Sequence, residues 1–154
     1  MEIATLGLGC FWGPEIKFNK LEGVVNTEVG YCGGNTEQTT YKEVCYGNTN
    51  HAEVVKIEFD DTKISYEDIL RYFFEFHDPT TLNRQGPDVG TQYRSEIFVR
   101  NEDQNKIASK ILNEFNEKFE GKIVTKFQNQ KIIVKQKIII KNIWKKTSNV
   151  YSFY

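Results

Sequence analysis

From Ile3 to Leu8 the chain is small and apolar without a charge, and it then turns through Gly9-Cys10-Phe11-Trp12-Gly13-Pro14. A short apolar run closed by glycine predicts a buried strand over 2–9, and a proline at a first helical position predicts a helix over 13–20. Val55, Ile57 and Phe59 alternate with Val54, Lys56 and Glu58, the period of a strand over 53–59. The spacing changes to a helical one where Ser65 precedes Ile69, Leu70, Phe73 and Phe74, and again where Asn101 precedes Ile107, Ile111, Leu112, Phe115 and Phe119. These patterns predict helices over 65–76 and 102–119, each opened by a side chain able to cap it. Weaker signals add strands over 24–30, 95–100 and 122–127 and a short helix over 40–45. The segment 78–94 holds Pro79, Gly86, Pro87 and Gly90 but few core residues, and a loop of that length in a small domain is usually functional. The sum is an alternating α and β domain.

Composition narrows this picture. With 154 residues, 39% of them hydrophobic, the chain can bury one sizeable core. A net charge of −1 conceals a lysine-rich stretch over 122–146. Such a tail raises the question of nucleic acid or membrane, but the isoleucine-rich part over 132–144 is too short and too often broken by lysine to span a bilayer. Neither partner is expected. Met1-Glu2 lacks the basic start of a secretory leader, and three cysteines suit a reducing cytoplasm better than a disulfide scaffold.

Candidate chemistry begins with Cys10. At the end of a strand and ahead of a helix, it faces unpaired N–H groups and the positive end of a dipole, which favour thiolate over thiol. A buried, inert cysteine is the competing reading, and from the residues alone the two stand level. Glu53, between Ala52 and Val54, is either a carboxyl kept protonated by desolvation, able to donate a proton, or an outward polar residue at a strand start. His51 lies two residues away on the same strand face and is able to tune Glu53, or to serve only as a hydrogen-bonded structural residue. Cys10, Cys32, Cys45 and His51 contain zinc-type ligands, yet they show no ligand spacing, and no metal is expected.

The blocks GCFWG at 9–13, GYCGG at 30–34, TYKEVC at 40–45, HAEVVKIEFD at 51–60, FFEFHDPT at 73–80 and QGPDVGTQYRS at 85–95 occur in one order that resembles the A-type peptide methionine sulfoxide reductases. The resemblance spans about residues 4–126. It implies a two-layer ferredoxin-like α/β plait, an α+β fold with a mixed sheet and extended loops. It also implies thiol-dependent reduction of methionine S-sulfoxide, free or in proteins, through a Cys10 sulfenic acid, with no bound cofactor and with thioredoxin or another dithiol as reductant. Cys10 becomes the nucleophile and Glu53 the proton donor. Tyr41 and Tyr93 direct hydroxyls at the sulfoxide oxygen, and Asp88 is a polar member of the pocket with His51 beside it. Phe11 and Trp12 hold the substrate's methyl and thioether carbons, a contact worth roughly 1 kcal/mol or less per methyl. No cysteine follows Cys45, so Cys10 is either reduced directly by the external dithiol, the favoured route, or resolved by Cys32; Cys45 itself matches a position that commonly holds a buried, unreactive cysteine. A monomer is expected. The rival from another class is an impaired remnant that binds substrate or a partner without efficient turnover.

After about residue 126 the resemblance ends. A family-like KAEDYHQKYLEK, encoded with AT-rich codons and read one base late, yields KQKIIIKNIWK, the sequence found from Lys135 to Lys145. The expectation is a reductase domain over 1–126 followed by an out-of-frame, basic, isoleucine-rich tail over 127–154.

Overall fold

The computed structural model describes residues 1–34, 50–129 and 134–135. The short helix expected over 40–45, with Tyr41 and Cys45, lies outside the described residues. The elements run β1 (Glu2–Leu8), α1 (Trp12–Asn19), β2 (Val24–Cys32), β3 (Ala52–Phe59), α2 (Tyr66–Phe76), β4 (Arg84–Gln85), β5 (Asp88–Val89), β6 (Ser95–Val99), α3 (Glu102–Lys118), β7 (Lys126–Asn129) and β8 (Val134–Lys135). Six of the strands form one mixed sheet in the order β7-β6-β1-β3-β2-β8; β4 and β5 make a separate two-stranded hairpin. All pairs in the large sheet are antiparallel except β6 with β7, which α3 joins as a parallel crossover.

The helices form where their apolar positions share one face. Ser65 accepts the Asp68 N–H at 3.0 Å while Asp68 accepts the Ser65 N–H, a reciprocal cap that starts α2 and turns Ile69, Leu70, Phe73 and Phe74 into the core. Asn101 caps α3 by accepting the Gln104 N–H at 2.8 Å, and Ala108, Ile111 and Phe115 are buried. These side chains pack with Phe18 of α1 and with Ala4, Leu6, Val29, Val55, Ile57 and Ile97 of the sheet in one cluster. Cys32, Ala52, Val54 and Phe98, which occupy the alternate positions of their strands, form a second cluster on the other face. The α+β class, the mixed sheet and the two-layer arrangement match the expectation.

Most boundaries differ from it by a residue or two, and two of the differences have a clear cause. α1 begins one residue earlier, at Trp12, and Pro14 sits within its first turn, where a missing N–H costs no helical bond. The strand expected over 122–127 forms over Lys126–Asn129 instead, because the preceding backbone is already committed: the Ile123 N–H donates to Asn116 Oδ1 at 3.1 Å and the Val124 N–H to the Pro79 carbonyl at 2.9 Å. β7 therefore lies across the boundary expected at residue 126.

The reciprocal cap supplies a test of the helix argument. Ser65→Ala should lower stability by about 1 kcal/mol. A urea titration should show an earlier midpoint with an unchanged slope, and sulfoxide-dependent activity should stay at the parent level.

Candidate active site

The site is built where β1 ends, α1 begins and β3 passes underneath. Gly9 takes φ 96°, a left-handed turn that L side chains rarely adopt, and this turn lifts Cys10 from the strand to the front of α1. Cys10 keeps part of its surface open, whereas Phe11 behind it is buried. The helix has no side-chain cap at Phe11. Its leading N–H instead finds a carboxyl group: Phe11 N–H donates to Glu53 Oε1 at 3.2 Å.

Glu53 reaches that place because of strand parity. It is paired across the sheet with Tyr31, two residues before Val55, so it points to the helix-covered face. It is 1% exposed, and its Oε2 has no hydrogen-bond partner among the described residues. Burial pushes its carboxyl up to about 8, only partly offset by the Phe11 N–H, and the charge of Asp88 adds to the rise. At neutral pH Glu53 is mostly the neutral acid. A buried carboxylic acid beside a partly open thiol provides a nucleophile and a proton donor in one place.

The other expected residues are distributed around this centre. Phe11 meets Trp12 edge-on at 5.6 Å between centroids and Tyr31 at 5.7 Å, so the aromatic wall is continuous from the half-exposed Trp12 to the core. Asp88 lies on the β4–β5 hairpin, and Tyr93 on the single 3-10 turn Thr91–Tyr93 that follows it; both are half-buried. His51 is buried, and its Nδ1 accepts the Gly34 N–H at 3.0 Å, which occupies that nitrogen with holding β2 and β3 together at their ends. Cys32 is not brought to Cys10. It is fully buried, pairs with Ala52 and belongs to the cluster on the opposite face of the sheet from Glu53. Among the described residues no group of three metal-type ligands occurs.

Three positions that periodicity and residue type did not mark also shape the site. Tyr31 faces Glu53 across the sheet and touches Phe11. Arg94 ties together the parts that carry Tyr93 and Glu53: it donates to the Thr91 carbonyl at 2.9 Å, to the Asn50 carbonyl at 3.1 Å and to Glu96 at 2.6 Å. Gln85 packs against Gly9. Only their presence in the GYCGG and QGPDVGTQYRS blocks could have drawn attention to them. His77, in contrast, has a structural place, with Nδ1 donating to the Phe73 carbonyl at 2.6 Å and Nε2 bonded to Ser95 at 2.7 Å; burial pushes it down to about 4, so it stays neutral.

Over residues 2–152 the sequence matches the family model described as peptide methionine sulfoxide reductase. The chain belongs to that family. It is similar to peptide methionine sulfoxide reductase MsrA of Pelagibacter ubique, with 68% identity over 126 residues that cover 82% of this chain and 86% of that protein. MsrA of Saccharolobus solfataricus is 52% identical over 128 residues, 83% of this chain and 72% of that protein. Among solved structures, reduced Mxr1 of Saccharomyces cerevisiae superposes with a TM-score of 0.89 at 34% identity, covering 95% of this chain and 85% of that one. Mxr1 in complex with Trx2 superposes with a TM-score of 0.67 at 26% identity, covering 87% and 79%. The protein is thus an oxidoreductase that reduces methionine sulfoxide.

The raised carboxyl leads to a stability test. Between about pH 4.5 and 8 the unfolded state has released the Glu53 proton while the folded state retains it, so the folded state binds more protons and stability falls as pH rises. The slope approaches about 1.4 kcal/mol per pH unit. Glu53→Gln removes this loss, so the variant should gain stability relative to the parent from pH 5 to pH 8 in denaturant titrations, while its single-turnover rate at neutral pH falls much more than its substrate affinity.

Proposed function

We propose that Cys10 and Glu53 carry the reduction of methionine S-sulfoxide, free or in proteins, through a sulfenic acid on Cys10. The observation that supports this most directly is the Phe11 N–H bond to a buried Glu53 carboxyl immediately behind the thiol. The Cys10 sulfur attacks the positively polarised sulfoxide sulfur while Glu53 gives its proton to the sulfoxide oxygen. The attack forms an S–S bond; the protonated oxygen then passes from the substrate sulfur to the Cys10 sulfur, so the S–O and S–S bonds both break, the S–S electron pair leaves with methionine as its thioether, and Cys10 is left as sulfenic acid. The thiol is oxidised by two electrons and the sulfoxide is reduced by two. Tyr41, Tyr93 and Asp88 are the polar groups assigned to the sulfoxide oxygen, and Trp12 over Phe11 is the apolar seat of the methyl and thioether carbons. His51 serves that pocket through the β2–β3 ends that it fixes.

A dithiol then returns Cys10 to the thiol, becoming a disulfide and releasing the oxygen as water. Thioredoxin is the proposed reductant, and yeast Mxr1 in complex with Trx2 is the supporting precedent. Cys32 has to cross from the opposite face to resolve Cys10, which favours direct attack by the external dithiol. A cytoplasmic monomer is the proposed form; no helix of the described residues is long and apolar enough to cross a membrane.

Cys10→Ser should abolish formation of methionine, because a hydroxyl does not ionise at these pH values. Retained single turnover in that variant would exclude Cys10 as the nucleophile. Cys32→Ser should leave both the first turnover and thioredoxin-driven recycling at parent rates; loss of later turnovers alone would restore Cys32 as the resolving thiol.

The segment 127–154 is proposed to be read out of frame, on the codon relation of Lys135–Lys145 to the family's segment. Sequencing the gene should show a frame encoding a KAEDYHQKYLEK-like stretch one base away, and repairing that frame should raise both melting temperature and turnover. A gene without such a frame would refute the slip.

A further inference from the structure

Gln85 takes part in none of the steps above, yet it touches the turn that carries the nucleophile. A side chain on Gly9 would place its Cβ 2.7 Å from Gln85 Cγ and 2.8 Å from Gln85 Cβ, so the Gln85 methylenes rest on the residue just before Cys10. Beyond them the amide is joined to one peptide: Oε1 accepts the Asp78 N–H at 2.9 Å and Nε2 donates to the Asp78 carbonyl at 2.8 Å. Using both amide functions on one residue makes the side chain act as a strand neighbour of Asp78. The Asp78 carboxylate is turned the other way, accepting from Thr80 N–H at 2.9 Å and Thr80 Oγ1 at 2.5 Å. On its own hairpin, Gln85 is the cross-strand partner of Asp88. One side chain therefore joins the Gly9 turn, the Asp78 backbone and the strand that presents Asp88.

We propose that Gln85 is a positioning residue of the reductase: it holds the β4–β5 hairpin against the Gly9 turn and so fixes Asp88 relative to Cys10 and the Glu53 carboxyl. This rests on the reading of Cys10 and Glu53 as nucleophile and acid. The titratable groups arranged around Glu53 among the described residues include Cys10 ahead of α1, Tyr31 opposite on β2, His51 before β3, Asp88 on the hairpin and Tyr93 on the 3-10 turn that follows it. Of these, Asp88 is the one whose place depends on Gln85.

The test is single-turnover formation of methionine as a function of pH. Gln85→Met keeps the apolar contact with Gly9 and loses both amide bonds; Gln85→Glu keeps the shape but puts an acceptor against the Asp78 carbonyl, and it carries the test if the methionine variant does not fold. Either should lower the maximal rate about tenfold, as expected for a small misplacement near the reacting atoms, with a much smaller change in KM. Either should also move the alkaline limb to lower pH, because a displaced Asp88 no longer opposes ionisation of Glu53. Asp88→Asn should move the limb in the same direction, and the double variant should add no further displacement. A folded Gln85 variant with the parent rate and limb, or displacements that add in the double variant, would overturn the positioning role. Either result leaves the nucleophile and acid standing, whereas turnover by Cys10→Ser would remove them and leave the role of Gln85 to be read from the limb alone.

Discussion

The bond from Phe11 N–H to Glu53 Oε1 sets most of the remaining geometry. A carboxyl group on the covered face of a central strand is costly as an anion, and here its cost is met mainly by remaining protonated, with one backbone donor from an uncapped helix start. That solution ties the strand holding the acid to the turn holding the thiol. It also satisfies the N–H of the N-cap residue Phe11 from outside the helix: Glu53 takes the place that the acidic N3 residue of a capping box fills, a position held here by Pro14.

Keeping the acid buried and the thiol open demands a sharp break between them. The left-handed turn at Gly9 makes that break, and Phe11 then drives back into the core against Tyr31 while Trp12 stays half-exposed. The same alternation sends Cys32 to the far face, since it is one residue beyond Tyr31 on β2. A shift of one residue in the β2–β3 register would exchange these faces and put a thiol where Tyr31 now packs.

The segment over 78–94 contributes little to the core, yet it carries Asp88 and Tyr93. Its order comes from polar side chains that bind backbone groups: Asp78 with Thr80, Thr81 with the Arg84 carbonyl, Gln85 with Asp78, and Arg94 with the Thr91 and Asn50 carbonyls. A loop held this way can be specific in shape without a large apolar anchor. The exposed Leu82 and Val89 are consistent with that division of labour.

Local pattern alone determined β1, β3, α2 and α3: a short apolar run closed by glycine marks β1, a period of two marks β3, and a period of 3.6 with their own caps marks α2 and α3. The family blocks singled out Cys10 among the thiols and Glu53 among the carboxyls. Tertiary structure decided the rest. The strand expected over 122–127 moved to Lys126–Asn129 because Asn116 and Pro79, distant in sequence, take the N–H groups of Ile123 and Val124. The separation of Cys32 from Cys10 follows from a cross-strand register, and the raised carboxyl of Glu53 from a face buried by helices that only the folded chain brings over it. Gln85 and Arg94 had no legible role because most of their partners are backbone groups, and a backbone group carries no signature in the residue that bears it.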